Sequence, residues 1–165
     1  MRKKKTSQEG AAVVEFAIVL PLLLLLLFGM IEFGLLMYNK QVITNASREG
    51  ARWAIVQPNS SDPLDLHSPY SVKDRIDKYV DDRLVSFSAN NSVTPNLKNL
   101  TTNNTLDINN STSNVCSSFG DDIQVKVTYN YDFLVFDNIL KLFNGNQGSI
   151  AIAGETIMRC ESSIP

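Results

Sequence analysis

The chain has 165 residues, a formal net charge of −2, one histidine and two cysteines, enough for one small domain plus an anchor. Residues 1–10 carry Arg2, Lys3, Lys4, Lys5 and Glu9, a net of +3, which leaves −5 on residues 11–165. A mildly acidic bulk with no basic patch argues against nucleic acid as a partner, because binding there rests on Lys and Arg neutralising phosphates.

The basic cluster is followed by the most apolar part of the chain. Residues 11–38 are interrupted only by Glu15, Pro21 and Glu32, and Leu22–Leu27 is an unbroken run of leucines. As a helix this segment is about 42 Å long, against about 30 Å of bilayer hydrocarbon. A basic cluster confined to its N-terminal flank places that flank in the cytoplasm. A secretory signal peptide would have a shorter apolar core and a small-x-small cleavage site. Here Phe28, Met30, Ile31 and Phe33 carry the apolar run onward, so the segment is expected to stay attached. Pro21 lacks an amide hydrogen and predicts a kink, which membranes tolerate where neighbouring helices compensate.

Glu15 is the anomaly, since an ionisable group within a span is costly and marks function by default. Three readings stand. It snorkels to the cytoplasmic headgroups, it stays protonated because desolvation raises its pKa, or it pairs with a cation. No Lys or Arg occurs between residues 6 and 39. The one cation available at that depth is a new amino terminus. Cleavage after Gly10 would create it on Ala11, four residues before Glu15. In a bundle, one subunit's Glu15 would neutralise the next subunit's Ala11 amine, a pairing that sets register more than stability. Glu32 lies near the outer interface, where solvent access and a role in setting helix depth are expected.

The helix is expected to continue over residues 35–57. Leu35, Tyr38, Val42, Ala46, Gly50, Trp53 and Ala54 form one apolar stripe at helical spacing. Ala46, Gly50 and Ala54 make a small-residue ridge that lets a sheet approach. Arg48, Glu49 and Arg52 fall mostly off the stripe and read as a solvated face or a partner surface. Pro58 ends the helix.

Residues 58–69 read as loop, with Pro58, Pro63 and Pro69 breaking regular structure. Asp62, Asp65 and the single His67 lack the second ligand cluster a metal site needs, so a solvated histidine is the expectation. Residues 71–87 read as an amphipathic helix with Val72, Ile76, Tyr79, Val80, Leu84 and Phe87 on one face. Ser71 and Asp74 suit an N-terminal capping box, and Asp74–Lys78 has the favourable order for an i,i+4 pair.

Residues 88–118 are rich in Asn, Ser and Thr and read as loop-rich, with short strands possible at Val93–Leu97 and Thr105–Ile108. Ile123, Val125, Val127, Tyr129, Tyr131 and Phe133 alternate with polar residues, the pattern of a half-buried strand. A short insert over residues 134–143 and a turn at 144–148 lead to a second strand over Ser149–Met158, weakened by Gly154. Cys116 precedes the first of these strands and Cys160 follows the second. If the strands pair antiparallel, the cysteines converge, and a disulfide suits an oxidising space outside the inner membrane. Two free buried thiols are the alternative. There is no nucleophile motif, paired-carboxylate signature, phosphate loop or Cys/His cluster. Asp81–Asp82 and Asp121–Asp122 read as surface charge, and no enzyme activity or cofactor is expected.

Gly10, the four residues Ala11 to Val14, then Glu15–Phe16 before an apolar helix, resemble the prepilin peptidase site of type IV pilin-like proteins. Within that group, GAAVVEFAIVLPLLLLLLFGMIEFG (10–34) and QVITNASREGARWAIV (41–56) resemble the TadE-like pseudopilins of tight adherence (Tad, or Flp) pilus systems. These show an EFA-LPL-EFG core followed by an N-A-x-R-E-G-A-R segment. The resemblance is specific over residues 10–56 and weak beyond 57. It implies that Gly10 is read by the peptidase, that Ala11 becomes the mature terminus, that Glu15 sets register with Pro21 and Glu32 in the same helix, and that Phe16 completes the recognition site. Ala11 departs from the aromatic first residue of major type IV pilins, which fits a minor pseudopilin.

The expected architecture is α+β and pilin-like. Residues 1–10 are a basic leader, 11–34 a transmembrane helix, 35–57 its amphipathic continuation, and 58–165 an extracytoplasmic head with a second helix and an antiparallel sheet of three or four strands. The implied partners are the membrane, a prepilin peptidase, other pilin and pseudopilin subunits and the Tad inner-membrane assembly machinery. The competing reading is an uncleaved single-pass protein whose outer domain binds a partner or ligand.

Overall fold

A computed structural model describes residues 8–56, 71–87, 93–106, 108, 115–116, 118–135 and 148–161. The basic leader up to Ser7, the loop with Asp62, Asp65 and His67, and the insert beyond Val135 lie outside these residues. Helix α1 (Gln8–Val56) is continuous through Pro21. Helix α2 (Val72–Asp81) follows, then β1 (Val93–Asn99), β2 (Asn104–Leu106), β3 (Asp122–Asp132) and β4 (Ser149–Arg159). The four strands form one antiparallel sheet in the order β2-β1-β3-β4. An α+β head on a long apolar helix is therefore the architecture.

Burial divides α1 in two. Residues 10–31 are exposed apart from the partly buried Gly29, while Glu32, Asn39, Val42, Ile43, Ala46, Ser47, Gly50, Ala51 and Ala54 are buried. This buried stripe is rotated from the expected one. Tyr38 is exposed and Trp53 only partly buried, because Asn39 and Ser47 turn inward to make specific hydrogen bonds. The small-residue ridge acts as anticipated. A Cβ on Gly50 would lie 2.6 Å from the Ile76 side chain of α2 and 3.4 Å from Val125 of β3.

The alternating residues of β3 supply the sheet's half of the core: Ile123, Val125, Val127, Tyr129 and Tyr131 are all buried. The opposite face carries Gln124, Lys126, Thr128 and Asn130 and stays polar, as half-covered antiparallel sheets do. Gly154 does not weaken β4. A Cβ there would lie 2.6 Å from the Ile43 carbonyl oxygen and 2.8 Å from the Thr44 Cα, so the glycine is what lets β4 reach the backbone of α1. Lys40 Nζ donates to the Ala153 carbonyl, and Ser47 Oγ lies 2.8 Å from Thr156 Oγ1.

Helix α2 opens with the expected capping box. Asp74 N–H donates to Ser71 Oγ (3.1 Å) and Ser71 N–H to Asp74 Oδ2 (3.0 Å). The helix ends at Asp81 rather than 87, and Leu84 N–H folds back to the Val80 carbonyl at 2.7 Å. With Asp74 committed to the cap, the ion pair forms between Lys73 and Asp77 at 2.6 Å instead. That pairing with Asp77 raises the Lys73 pKa.

Asp121 is not surface charge. It is buried, and its Oδ2 accepts from Asn99 Nδ2 (3.1 Å) and Ser118 N–H (2.9 Å). Asn99 in turn holds the β1–β2 turn, its Oδ1 accepting the Thr101 and Thr102 amides at 3.0 Å. Asn103 takes the left-handed conformation (φ 58°) in the same turn, a backbone state asparagine tolerates better than most residues. Asp122 stays accessible and pairs with Arg159, which holds its carboxyl below the usual range. Cys116 and Cys160 form a disulfide with Cα atoms 5.9 Å apart. It closes the end of the β3–β4 ladder where the Cys160 amide bonds the Asp121 carbonyl at 2.8 Å.

Candidate functional site

The feature that asks for a function is the bare half of α1. Val13, Val14, Phe16, Ile18, Leu22 and Ile31 are each more than half exposed, and the helix around them has a mean hydropathy of 2.8 over its most apolar 18-residue window. So much exposed apolar surface on one helix marks a surface that meets a membrane or another protein. By length and composition this helix is long and apolar enough to cross a membrane.

Gly10, Ala11, Glu15, Phe16 and Pro21 all lie on this exposed half. Ala11 and Glu15 are four residues apart and so share one face of the helix. With residue 10 attached, the Ala11 nitrogen is a peptide amide, and among the described residues of the helix the first Lys or Arg is Lys40. A Cβ on Gly10 would meet nothing within 4 Å.

Glu32 belongs to the other half. It is 3% exposed, and its Oε1 accepts the backbone amides of Leu134 and of Val135, the latter at 3.3 Å. The expectation of a solvated carboxylate fails here because the segment after β3 folds down over it. Two backbone donors supply what water would have supplied. Glu32 thus joins the C-terminal end of the exposed apolar stretch to the C-terminal end of β3.

A second tie uses Asn39, which sequence reasoning did not single out. Its side-chain amide is fully buried and bonds the backbone of Val85 both ways, Nδ2 to the carbonyl at 2.6 Å and Oδ1 from the amide at 3.1 Å. Tyr38 Oη donates to the Arg83 carbonyl at 3.0 Å. The signal for Asn39 was present. It stands at i, i+4 and i+7 with Ile43 and Ala46, inside the apolar period, where a polar residue implies a buried partner.

Further along α1, Glu49 accepts Arg75 Nη2 at 2.7 Å, and the same guanidinium lies 5.4 Å from the Trp53 ring. Arg83 stacks 4.3 Å from the Tyr79 ring. Glu49 of the N-A-S-R-E-G-A-R segment therefore serves the α1–α2 contact, while Arg48 and Arg52 remain exposed. Tyr129 and Tyr131 are buried beneath α1, and their hydroxyls have no hydrogen-bond partner among the described residues. Burial pushes the Tyr129 hydroxyl up to about 12, and burial with the nearby Glu32 charge raises Tyr131. Among the described residues no three His, Cys, Asp or Glu side chains gather as a metal site would require.

Comparison with known proteins gives a match that runs across both halves of α1. A family model described as TadE-like protein matches residues 10–52. That interval runs from the glycine at the head of the exposed half to Arg52 in the packed half, and it contains Glu15, Glu32, Asn39 and Glu49. Neither the curated proteins nor the solved structures give a match. Over residues 10–52, about a quarter of its length, this chain is similar to TadE-like proteins.

Proposed function

We propose that the protein is a minor pilin or pseudopilin, a non-enzymatic subunit for assembly of a Tad (Flp) pilus. In this reading a prepilin peptidase removes residues 1–10, the apolar half of α1 anchors the subunit in the inner membrane, and the head lies outside. The carrying observation is an exposed apolar helix with one carboxylate, Glu15, whose family match begins at Gly10. A span that needed only to anchor would gain nothing from Glu15, whereas a helix that packs against copies of itself can use it. The new Ala11 amine of one subunit then neutralises the Glu15 of its neighbour, and a pair of this kind fixes the stagger between helices. The disulfide fits an oxidising space outside the membrane.

The test is mass spectrometry of the N-terminus in native membranes, with and without Gly10→Ala. A methyl at position 10 meets nothing in the fold, so the variant reports on recognition and not on folding. The expected result is a terminus at Ala11 that is lost in the variant. A terminus at Met1 beside an active prepilin peptidase overturns processing and leaves an uncleaved single-pass protein.

A further inference from the structure

We infer that the head does not stand off the membrane on a stalk but is seated on the bilayer, its lower rim in the outer headgroup layer. This rests on the membrane reading of residues 11–34. If that span ends near Gly34, Glu32 lies about 3 Å inside the hydrocarbon boundary and Tyr38 about 6 Å outside it, at 1.5 Å per residue. The headgroup layer of one leaflet is about 5–7 Å thick. Glu32 is bonded to the Leu134 and Val135 amides, so the turn after β3 must sit at that boundary.

The residues that this depth presents to lipid are of the type an interface accepts. Leu134 is 48% exposed, and Ile150, which pairs with Tyr131 three residues up the strand, is 45% exposed. Further along α1, Tyr38 is exposed and its hydroxyl donates to the Arg83 carbonyl. The backbone of Arg83, an exposed residue whose guanidinium stacks 4.3 Å from the Tyr79 ring, therefore lies near phosphate depth. An aliphatic side chain at the boundary, with a tyrosine and an arginine one step outward, is the order in which interfacial residues distribute. The occupant is a phospholipid surface because this patch is continuous with the exposed apolar face of the span itself.

Single-tryptophan variants test this. Trp53 is the chain's one tryptophan and lies about 28 Å above Gly34 along the helix. The full chain carrying W53F with L134W, I150W or F28W is placed in phosphatidylcholine vesicles brominated either near the headgroup or near the chain end. Seating predicts that L134W and I150W are quenched by shallow bromines, F28W by deep ones, and the parent's Trp53 by neither. Unquenched L134W and I150W beside a quenched F28W overturn the seat, including the case in which a second copy covers the patch. An unquenched F28W overturns the membrane span, and the seat with it.

Discussion

At the residue scale, the packed half of α1 is organised by polar side chains that replace water for a neighbouring backbone. Asn39 gives the Val85 amide and carbonyl the two partners a strand would otherwise provide. Asn39→Ala removes both at once, and leaving such groups unpaired costs about 1–3 kcal/mol. Chemical denaturation of the variant should show that loss with an unchanged m-value. Tyr129 and Tyr131 make the opposite case, since their hydroxyls are buried without partners among the described residues and resist ionisation, Tyr129 up to about 12. In the unfolded chain both ionise near the ordinary value of about 10. The unfolded state therefore loses those protons first, and stability that is fully present below pH ~10 falls as pH rises towards 12. Absorbance titration of phenolate should show two of the five tyrosines ionising only as the head unfolds.

At the element scale, the contact of β4 with α1 depends on a missing side chain. A methyl at Gly154 would sit 2.6 Å from the Ile43 carbonyl oxygen, and neither backbone can yield without disturbing the sheet or the helix. Gly154→Ala should cost about 1–3 kcal/mol through overpacking. Gly34→Ala, where a Cβ meets nothing within 4 Å, should be neutral or slightly stabilising because alanine suits a helix better than glycine. Melting temperatures of the two variants, compared in one detergent, check the contrast. Much of this scale was legible beforehand. The capping box, the alternation along β3 and the cysteines flanking the β3–β4 pair all follow from local chemistry. The end of α2 was not, because Leu84 and Phe87 continue the helical period while the Asn39–Val85 bonds claim that backbone for another partner.

At the scale of the whole molecule, one helix has two unlike halves. Residues 10–31 contribute nothing to the head's core, and burial starts at Glu32. A fragment that begins at Ile31 should therefore keep the four-stranded sheet and the Cys116–Cys160 disulfide and remain soluble without detergent. Circular dichroism and non-reducing mass analysis would show this, and a fragment that aggregates or lacks helix would refute it. The disulfide spans a separation of 44 residues, which the loop-entropy relation values at roughly 4 kcal/mol. A head with so small a core uses that constraint at the end of the ladder farthest from Glu32.

The order of materials along the chain was determined by the sequence alone: a basic flank, an apolar helix, a small-residue ridge, a polar loop region, then two alternating strands. Each depends on periodicity or composition within a short window, which local sterics and hydrophobicity decide. Three things were left to tertiary structure. Glu32 became a buried acceptor instead of a solvated charge, Asp121 became the hub of the β1 and β3 turns, and Gly154 became a contact point instead of a weak spot. In each, the deciding atom belongs to a segment far away in sequence: Leu134 for Glu32, Asn99 for Asp121, Ile43 for Gly154. A carboxylate or a glycine carries no sign of which distant group will reach it, and only the packed chain supplies that partner.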